Sequence, residues 1–135
     1  MLGREREFVS RLEGRRCSKF LAQQYWLDGR LEDEWNVLFL GFSDGTYVRF
    51  LFDSGEFFWR EEAPSLPDTF EGHDYRMVEP AFSREVNGRS IAAVLFTSLI
   101  SGGRAVSFSF VEGGALHVHH DSERSVVFIA DAPAT

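Results

Sequence analysis

One short pattern of residues occurs twice in the chain, and it constrains the fold more than any other feature. Residues 5–15 read EREFVSRLEGR and residues 79–89 read EPAFSREVNGR, so both contain E-x-x-F-x-x-x-[L/V]-x-G-R. In each copy the apolar residues recur at helical spacing, and the glycine stands where a helix C-cap belongs. We therefore expect each half of the chain to begin with a short amphipathic helix.

Turn residues divide the sequence after each helix into four apolar runs. Asp44-Gly45 lies between two such runs, and Asp-Gly is among the strongest short hairpin signals because its turn needs positive φ. In the first half we predict strands over residues 17–27, 35–42, 46–52 and 56–60. In the second half we predict them over residues 90–100, 105–111, 115–120 and 125–130. Both halves are thus predicted to be antiparallel meanders.

The predicted fold class is α+β and mostly antiparallel β. It consists of two tandem αββββ units, residues 5–60 and 79–130, with a connector over residues 61–78. Pro64 and Pro67 exclude a continuous helix in that connector. Neither unit could cover its own apolar face alone, so we expect one domain over residues 1–135. The units would pack as a pseudo-symmetric eight-stranded sandwich or open barrel with short helices.

Charge and cysteine content exclude several classes of protein. The net charge of −7 opposes binding to a phosphate backbone, so we predict no nucleic-acid partner. No stretch of 18 or more apolar residues occurs, and charges occupy the first residues, so we predict no membrane contact and no secretory signal. The one cysteine, Cys17, cannot form an internal disulfide and lies in an apolar run. We expect a buried thiol in a cytoplasmic protein.

The two halves differ on the face that points away from the core. In the second half Ser107 and Ser109 alternate with apolar residues, which is typical of a strand with one wet face. The corresponding runs of the first half, VLFLGF and YVRFLF, are apolar on both faces. That outer face needs a cover: the first helix, the connector or a second chain. We predict a partner-binding surface there, around Phe39, Arg49 and Leu51.

Three histidines in residues 117–120 raise the question of a metal site. His117 and His119 alternate onto one face of the predicted strand, and with Glu123 they form H-x-H-x-x-x-E. This pattern could hold a divalent metal such as Zn²⁺ or Ni²⁺. It is similar to the first metal motif of cupins over this segment alone, and the second motif of that family is absent. The rest of the chain favours a different interpretation, a solvated strand beside a turn, and a pH-sensitive contact is the third.

No pattern in the chain predicts a catalytic residue. Neither a nucleophile elbow nor a glycine-rich phosphate loop occurs, so we expect no enzyme and no cofactor beyond the metal alternative. We predict a non-enzymatic protein-binding module, of the immunity, antitoxin or adaptor type. Its partner is a protein, with a basic one favoured by the acidic net charge, or a second copy in a homodimer. The alternative function is a metal-binding or small-ligand-binding β-barrel that uses the strand of His117 and His119.

Overall fold

A computed structural model of the chain describes residues 3–121 and 124–130. The two helices are α1 (Gly3–Leu12) and α2 (Ser83–Val86). The strands before α2 are β1 (Cys17–Leu27), β2 (Arg30–Phe42), β3 (Tyr47–Asp53), β4 (Glu56–Glu61) and β5 (His73–Val78). Those after α2 are β6 (Ile91–Ser98), β7 (Arg104–Phe110), β8 (Ala115–Asp121) and β9 (Arg124–Ala130). Over these residues, neither helix has the length and apolar character needed to cross a membrane.

The strands form two antiparallel sheets. The first has the order β4-β3-β2-β1-β5 and the second the order β6-β7-β8-β9. The predicted α+β class with mostly antiparallel strands is therefore confirmed. The prediction of eight strands is wrong for the described residues, because part of the connector forms β5 against the free edge of β1. β2 also begins earlier than predicted, since residues 30–34, which are charged except for Leu31, extend its ladder with β1.

Both sheets and α1 contribute to one hydrophobic core. Phe8 and Leu12 lie one turn apart on α1, and both are fully buried. α1 contacts β4 of the first sheet and β6 of the second, while α2 packs on β1. Large core side chains from the two sheets include Phe20, Leu40, Phe50, Phe57, Phe108 and Leu116.

The segments that follow the two helices bind each other. The backbone N–H of Gly14 donates to the carbonyl of Ile91, and that of Gly88 donates to the carbonyl of Cys17, each at 2.8 Å. Gly14 and Gly88 have φ values of 88° and 83°, in the left-handed region that glycine adopts at least cost. Each glycine thus ends its helix and joins its half of the chain to the other half.

The connector has to cross the outer face of the first sheet. β4 and β5 lie at opposite edges of that sheet and run in the same direction, as the successive antiparallel pairings require. Residues 62–72 therefore pass from the β4 edge of the first sheet to its β5 edge, and from the end of the sheet where β4 stops to the opposite end, where β5 starts. The inner face of this sheet packs against the second sheet, so the connector must run over the outer face. The first helix, the connector and a second chain were the three candidates to cover this face. The path from β4 to β5 favours the connector.

The outer face of the second sheet is mixed rather than wholly polar. The predicted alternation is observed in β7, where Ser107 and Ser109 point away from the core. A row across the strands joins Leu95, Ser107, His117 and Phe128. Leu95 is 60% exposed and Phe128 39% exposed, so exposed apolar side chains lie at both ends of this row and polar ones lie between them.

Candidate functional site

A large concave surface lies between α1 and the outer face of β3 and β4. Its volume is about 810 Å³. Two of the three residues predicted to bind a partner, Arg49 and Leu51, line it. We call this surface the arginine groove, and its main side chains are Arg4, Glu7, Arg49, Leu51, Phe58, Trp59 and Arg60.

The register of the β3–β4 hairpin brings these side chains together. Arg49 lies opposite Arg60, and Leu51 lies opposite Phe58. Directly opposed residues in an antiparallel pair point to the same face, so all four side chains face outward. Ser54-Gly55 closes this hairpin with φ values of 51° and 79°, and once the turn is fixed the pairing of Arg49 with Arg60 follows.

Glu62 compensates the two opposed arginines. Its Oε2 lies 3.5 Å from Nε of Arg49 and 3.0 Å from Nε of Arg60. The pKa of Arg49 is nevertheless lowered, first by burial and second by the positive charge of Arg60, while Glu62 acts in the opposite direction. The cationic form of Arg49 is therefore disfavoured compared with an isolated guanidinium, and a further carboxylate would favour it.

Arg4 ties the start of α1 to the edge of the first sheet. Its Nη1 donates to the carbonyl of Phe57 at 2.9 Å, and its own carbonyl accepts a hydrogen bond from Nε1 of Trp59 at 2.9 Å. The guanidinium also lies 4.7 Å from the ring centroid of Phe58. These contacts fix one wall of the arginine groove. No sequence pattern predicted them, because Arg4 and Trp59 are far apart in the chain.

Phe39, the third residue predicted to bind a partner, is not at the surface. It lies between Leu21 and Arg49 on the outer face and is only 1% exposed. Phe39 therefore lies beside Arg49 on the neighbouring strand, buried on the outer face of the sheet. For Phe39, Arg49 and Leu51, partner binding stays a prediction.

The side chains of β8, which contains His117, His119 and His120, alternate between its two faces as predicted. The ring centroids of His117 and His119 lie 6.1 Å apart on the outer face. Phe128 packs against both rings, at centroid distances of 5.1 and 5.0 Å. His117 Nδ1 and Ser107 Oγ share a hydrogen bond of 2.7 Å. His120 points inward and is 5% exposed.

The predicted metal set is only partly within the described structure. Glu123, its third member, lies outside the described residues. Over residues 3–121 and 124–130, no three His, Cys, Asp or Glu side chains are placed to hold a metal ion. His73, the remaining histidine, lies in another environment, where its Nδ1 and the hydroxyl of Tyr25 share a hydrogen bond of 2.6 Å. The set of His117, His119 and Glu123 stays a prediction.

Cys17 has the buried position that the sequence predicted. It is 1% exposed, and burial raises the pKa of its thiol to about 12. The thiolate is the nucleophilic form of cysteine, so this group is held in its unreactive state at neutral pH. Cys17 is a packing residue of the core.

We expect His117 to make the fold less stable in mild acid. Burial, and then the charge of His119, lower its pKa in the folded chain. The unfolded chain, with a histidine pKa of about 6.5, takes up the proton first as the pH falls. The contribution of His117 to the free energy of unfolding therefore has its full value above about pH 6.5. It declines below that pH until the pKa of the folded state is reached.

Urea unfolding at several pH values measures this effect. The upper limit for one group is about 1.4 kcal/mol per pH unit, and partial exposure of His117 keeps the slope well below that. His117→Gln should flatten the profile between about pH 6.5 and pH 5. His119→Gln removes only the smaller cause, so it should retain most of the slope. Identical profiles for wild type and His117→Gln would contradict the assignment.

Comparison with known proteins gives no relative from which a function could be transferred. The chain matches no protein-family model, no curated protein and no solved structure. Its function has to be argued from the geometry described above.

Proposed function

We propose that this protein acts by binding another protein through the arginine groove. Small non-enzymatic modules of the immunity, antitoxin or adaptor type act in this way. The observation that carries the proposal is the arrangement of three arginines with Phe58 and Trp59 around one concavity of about 810 Å³. Arginine and tryptophan are enriched among the residues that dominate binding energy at protein interfaces.

The charges of the groove favour a partner segment that carries Asp or Glu. Arg49 and Arg60 share Glu62 as their acidic neighbour. Burial and Arg60 already lower the pKa of Arg49, so a carboxylate from the partner would stabilise its charged form. Guanidinium and carboxylate groups form paired hydrogen bonds that give both energy and orientation. An acidic side chain between Arg49 and Arg60 is therefore the contact that we propose.

The acidic net charge of the whole chain adds a second property of the partner. A charge of −7 speeds the approach of a protein that is basic overall. The acidic residues of the partner would then be confined to the segment that enters the groove. A reducing cytoplasm is the compartment that suits the unpaired Cys17.

Site-specific photocrosslinking in the producing cells tests the proposal. Phe58 lies in the groove and is 36% exposed, and Phe128 lies on the outer face of the second sheet and is 39% exposed, so each can be replaced by p-benzoylphenylalanine as a matched pair. We expect a discrete covalent adduct from position 58 and none of the same mass from position 128. Its mass above the 15.4 kDa chain separates a different protein from a second copy. Absence of an adduct at position 58, or the same adduct at both positions, would refute the proposal.

A charge reversal gives the corresponding loss of function. Arg49→Glu, combined with the crosslinker at position 58, places a carboxylate where the partner's carboxylate is proposed to lie. The yield of adduct should fall at least about tenfold, since like charges replace a charge-assisted contact. Arg84→Glu with the same crosslinker makes an equal change in net charge and should leave the yield unchanged. Circular dichroism and the thermal midpoint check that both variants are folded.

We also propose that the chain arose by internal duplication and that its halves are related by a pseudo-two-fold axis. The shared E-x-x-F-x-x-x-[L/V]-x-G-R pattern supports this. So do the reciprocal hydrogen bonds of Gly14 with Ile91 and Gly88 with Cys17. An antiparallel bridge joins Arg16 to Ser90, the residues that follow the two copies of the pattern's arginine.

A further inference from the structure

The outer face of the second sheet has no Asp, Glu, Lys or Arg side chain over three consecutive rows. The ladder register places four side chains in each row, one from each of β6 to β9. Charged residues make up 26% of the chain, so their absence from a whole sheet face is unusual. We call this surface the uncharged face, and its rows run from Ala93 to Ala130, from Leu95 to Phe128 and from Thr97 to Val126.

Large apolar side chains are exposed on the uncharged face. Leu95 is 60% exposed, Val126 is 53% exposed and Phe128 is 39% exposed. β6 to β9 are neighbours in the sheet in the order in which they occur in the chain, so no connection between them has to cross this face. The first sheet differs, because its connector runs over its outer face. Exposed apolar patches of this kind are typical of contact sites.

The polar side chains in the middle of the uncharged face already have hydrogen-bond partners within the sheet. Ser107 Oγ and His117 Nδ1 share a hydrogen bond of 2.7 Å, and Ser109 Oγ donates to the carbonyl of Ala93 at 3.4 Å. Polar groups that are satisfied in this way lose little when a second surface displaces water from them. The uncharged face can therefore be covered by a surface that supplies few hydrogen-bonding groups of its own.

We propose that the uncharged face binds the same face of a second copy of this chain, about a two-fold axis that is parallel to the strands and lies between β7 and β8. Such an axis exchanges β6 with β9 and β7 with β8. It places Leu95 of each copy opposite Phe128 of the other, and Ser107 of each copy opposite His117 of the other. The middle row has apolar side chains at both ends and polar ones between them, so the exchange pairs apolar with apolar and polar with polar.

Charge and area favour a second copy over an unlike partner. Two chains of net charge −7 repel each other, so they associate best through a surface that has no like charges. Three rows about 7 Å apart and four strands about 4.8 Å apart give a flat face of about 400 Å² on each copy. The pair then buries about 800 Å², and more once the relief of the side chains is included, which is near the lower end of specific interfaces. A reversible dimer is therefore expected, with a dissociation constant of about 1 to 100 μM.

Sedimentation equilibrium of the whole protein measures this dimer, with EDTA present so that no metal ion bridges the histidines. We expect a species of twice the 15.4 kDa of one chain at concentrations above the dissociation constant. Leu95→Asp places two carboxylates in each interface, so it should weaken the dimer at least about 30-fold. Ile100→Asp makes the same change in charge at a residue that is fully exposed between β6 and β7. This control should leave the dissociation constant nearly unchanged.

A mixture of two variants tests the two-fold axis itself. Phe128→Arg, like Leu95→Asp, should be largely monomeric at a concentration near the dissociation constant of the wild type. In an equimolar mixture of the two variants, a heterodimer keeps one contact of Leu95 with Phe128 and gains one pair of opposite charges, so dimer should form again. Within one chain the two positions lie three strands apart, about 14 Å, so they cannot compensate each other there. Circular dichroism checks that each variant is folded.

Three results would overturn the inference: a wild-type chain that is still monomeric at about 1 mM, equal effects of Leu95→Asp and Ile100→Asp, or no dimer in the mixture. The inference does not rest on the arginine groove, which lies on the outer face of the other sheet and stays open in the dimer. A crosslinker at position 128 would link two copies of this chain. The adduct expected at position 58 contains a different protein, so failures of the two proposals are distinguishable.

Discussion

Replacing Arg104 with methionine should lower the free energy of unfolding by about 3 kcal/mol or more. Arg104 on β7 forms a bidentate ion pair with Glu5 on α1, with Nη2 3.0 Å from Oε1 and Nη1 2.5 Å from Oε2. The Glu5 side chain is only 2% exposed, whereas that of Arg104 is 27% exposed. Without Arg104 the Glu5 carboxylate would stay buried with no opposite charge, and such a group is costly.

The difference in exposure makes the two single variants unequal. Glu5→Met removes the buried charge itself and leaves Arg104 able to reach water, so we expect a loss of about 1 kcal/mol. The double variant should be closer to wild type than Arg104→Met, because it contains no uncompensated charge. Urea unfolding of the three variants gives these values as a double-mutant cycle.

An exposed ion pair serves as the control for this cycle. Arg11 and Glu61 lie 3.5 Å apart, and their side chains are 63% and 53% exposed. Arg11→Ala should cost between about 0 and 1 kcal/mol. If Arg104→Met proved as mild as Arg11→Ala, the role assigned to the Glu5–Arg104 pair in joining α1 to the second sheet would be wrong.

The parts of the fold that the sequence predicts are those with local causes. The hairpin at Asp44-Gly45 forms as expected, with Gly45 at a φ of 87°. The helix end at Gly14 and the inward position of Phe8 likewise follow from spacing within a few residues. In each case the residues that decide the structure are neighbours in the chain, so pattern and propensity suffice.

β5 could not be predicted because its cause is not local. His73–Val78 alternates over only four residues, Asp74 to Met77, and follows a segment with two prolines. It becomes a strand since β1 presents a free edge, with Tyr25 of β1 opposite Tyr75 of β5. The charged start of β2 is a similar case, because residues 30–34 are extended by their pairing with β1. Tertiary pairing overrides weak local preference at both places.

The candidate sites likewise have parts with local causes, which the sequence predicts, and parts with tertiary causes, which it does not. Sequence reasoning placed Arg49 and Leu51 on an outward face, which their alternation along one strand determines. Arg4 joins them only because α1 lies along β4, a contact between residues more than fifty positions apart. A smaller pocket is lined by Asp33, Asp53 and His120, which come from three separate strands. Nothing near any one of these residues in the sequence indicates the other two.

The second large effect that we expect is at Phe8, where alanine should destabilise the fold by about 3 to 5 kcal/mol. Phe8 is fully buried between the sheets, and its ring contacts five aromatic rings. The closest is Phe57, with centroids 4.8 Å apart in an edge-to-face arrangement. Deletion of the ring removes its burial, leaves a cavity and ends aromatic contacts that are worth more than their area.

Phe82 is the matched control, because it is the phenylalanine of the second copy of the repeated pattern, as Phe8 is of the first. It directly precedes α2. It is only partly buried, and its ring contacts Phe20 at 5.4 Å and Trp35 at 6.0 Å. Phe82→Ala should therefore cost about half as much as Phe8→Ala, since less apolar area leaves water. Phe8→Leu keeps most of the volume and should cost about 1.5 kcal/mol or less.

Urea denaturation of these variants, fitted with a common slope, decides between two views of the core. If α1 is the element that joins both sheets, the loss at Phe8 must clearly exceed the loss at Phe82. α1 meets β4 and β6, one strand from each sheet, while α2 meets β1 alone among the major contacts. Equal losses would mean that the two helices contribute alike to the core, and α1 could not then be the element on which the packing of the two sheets depends.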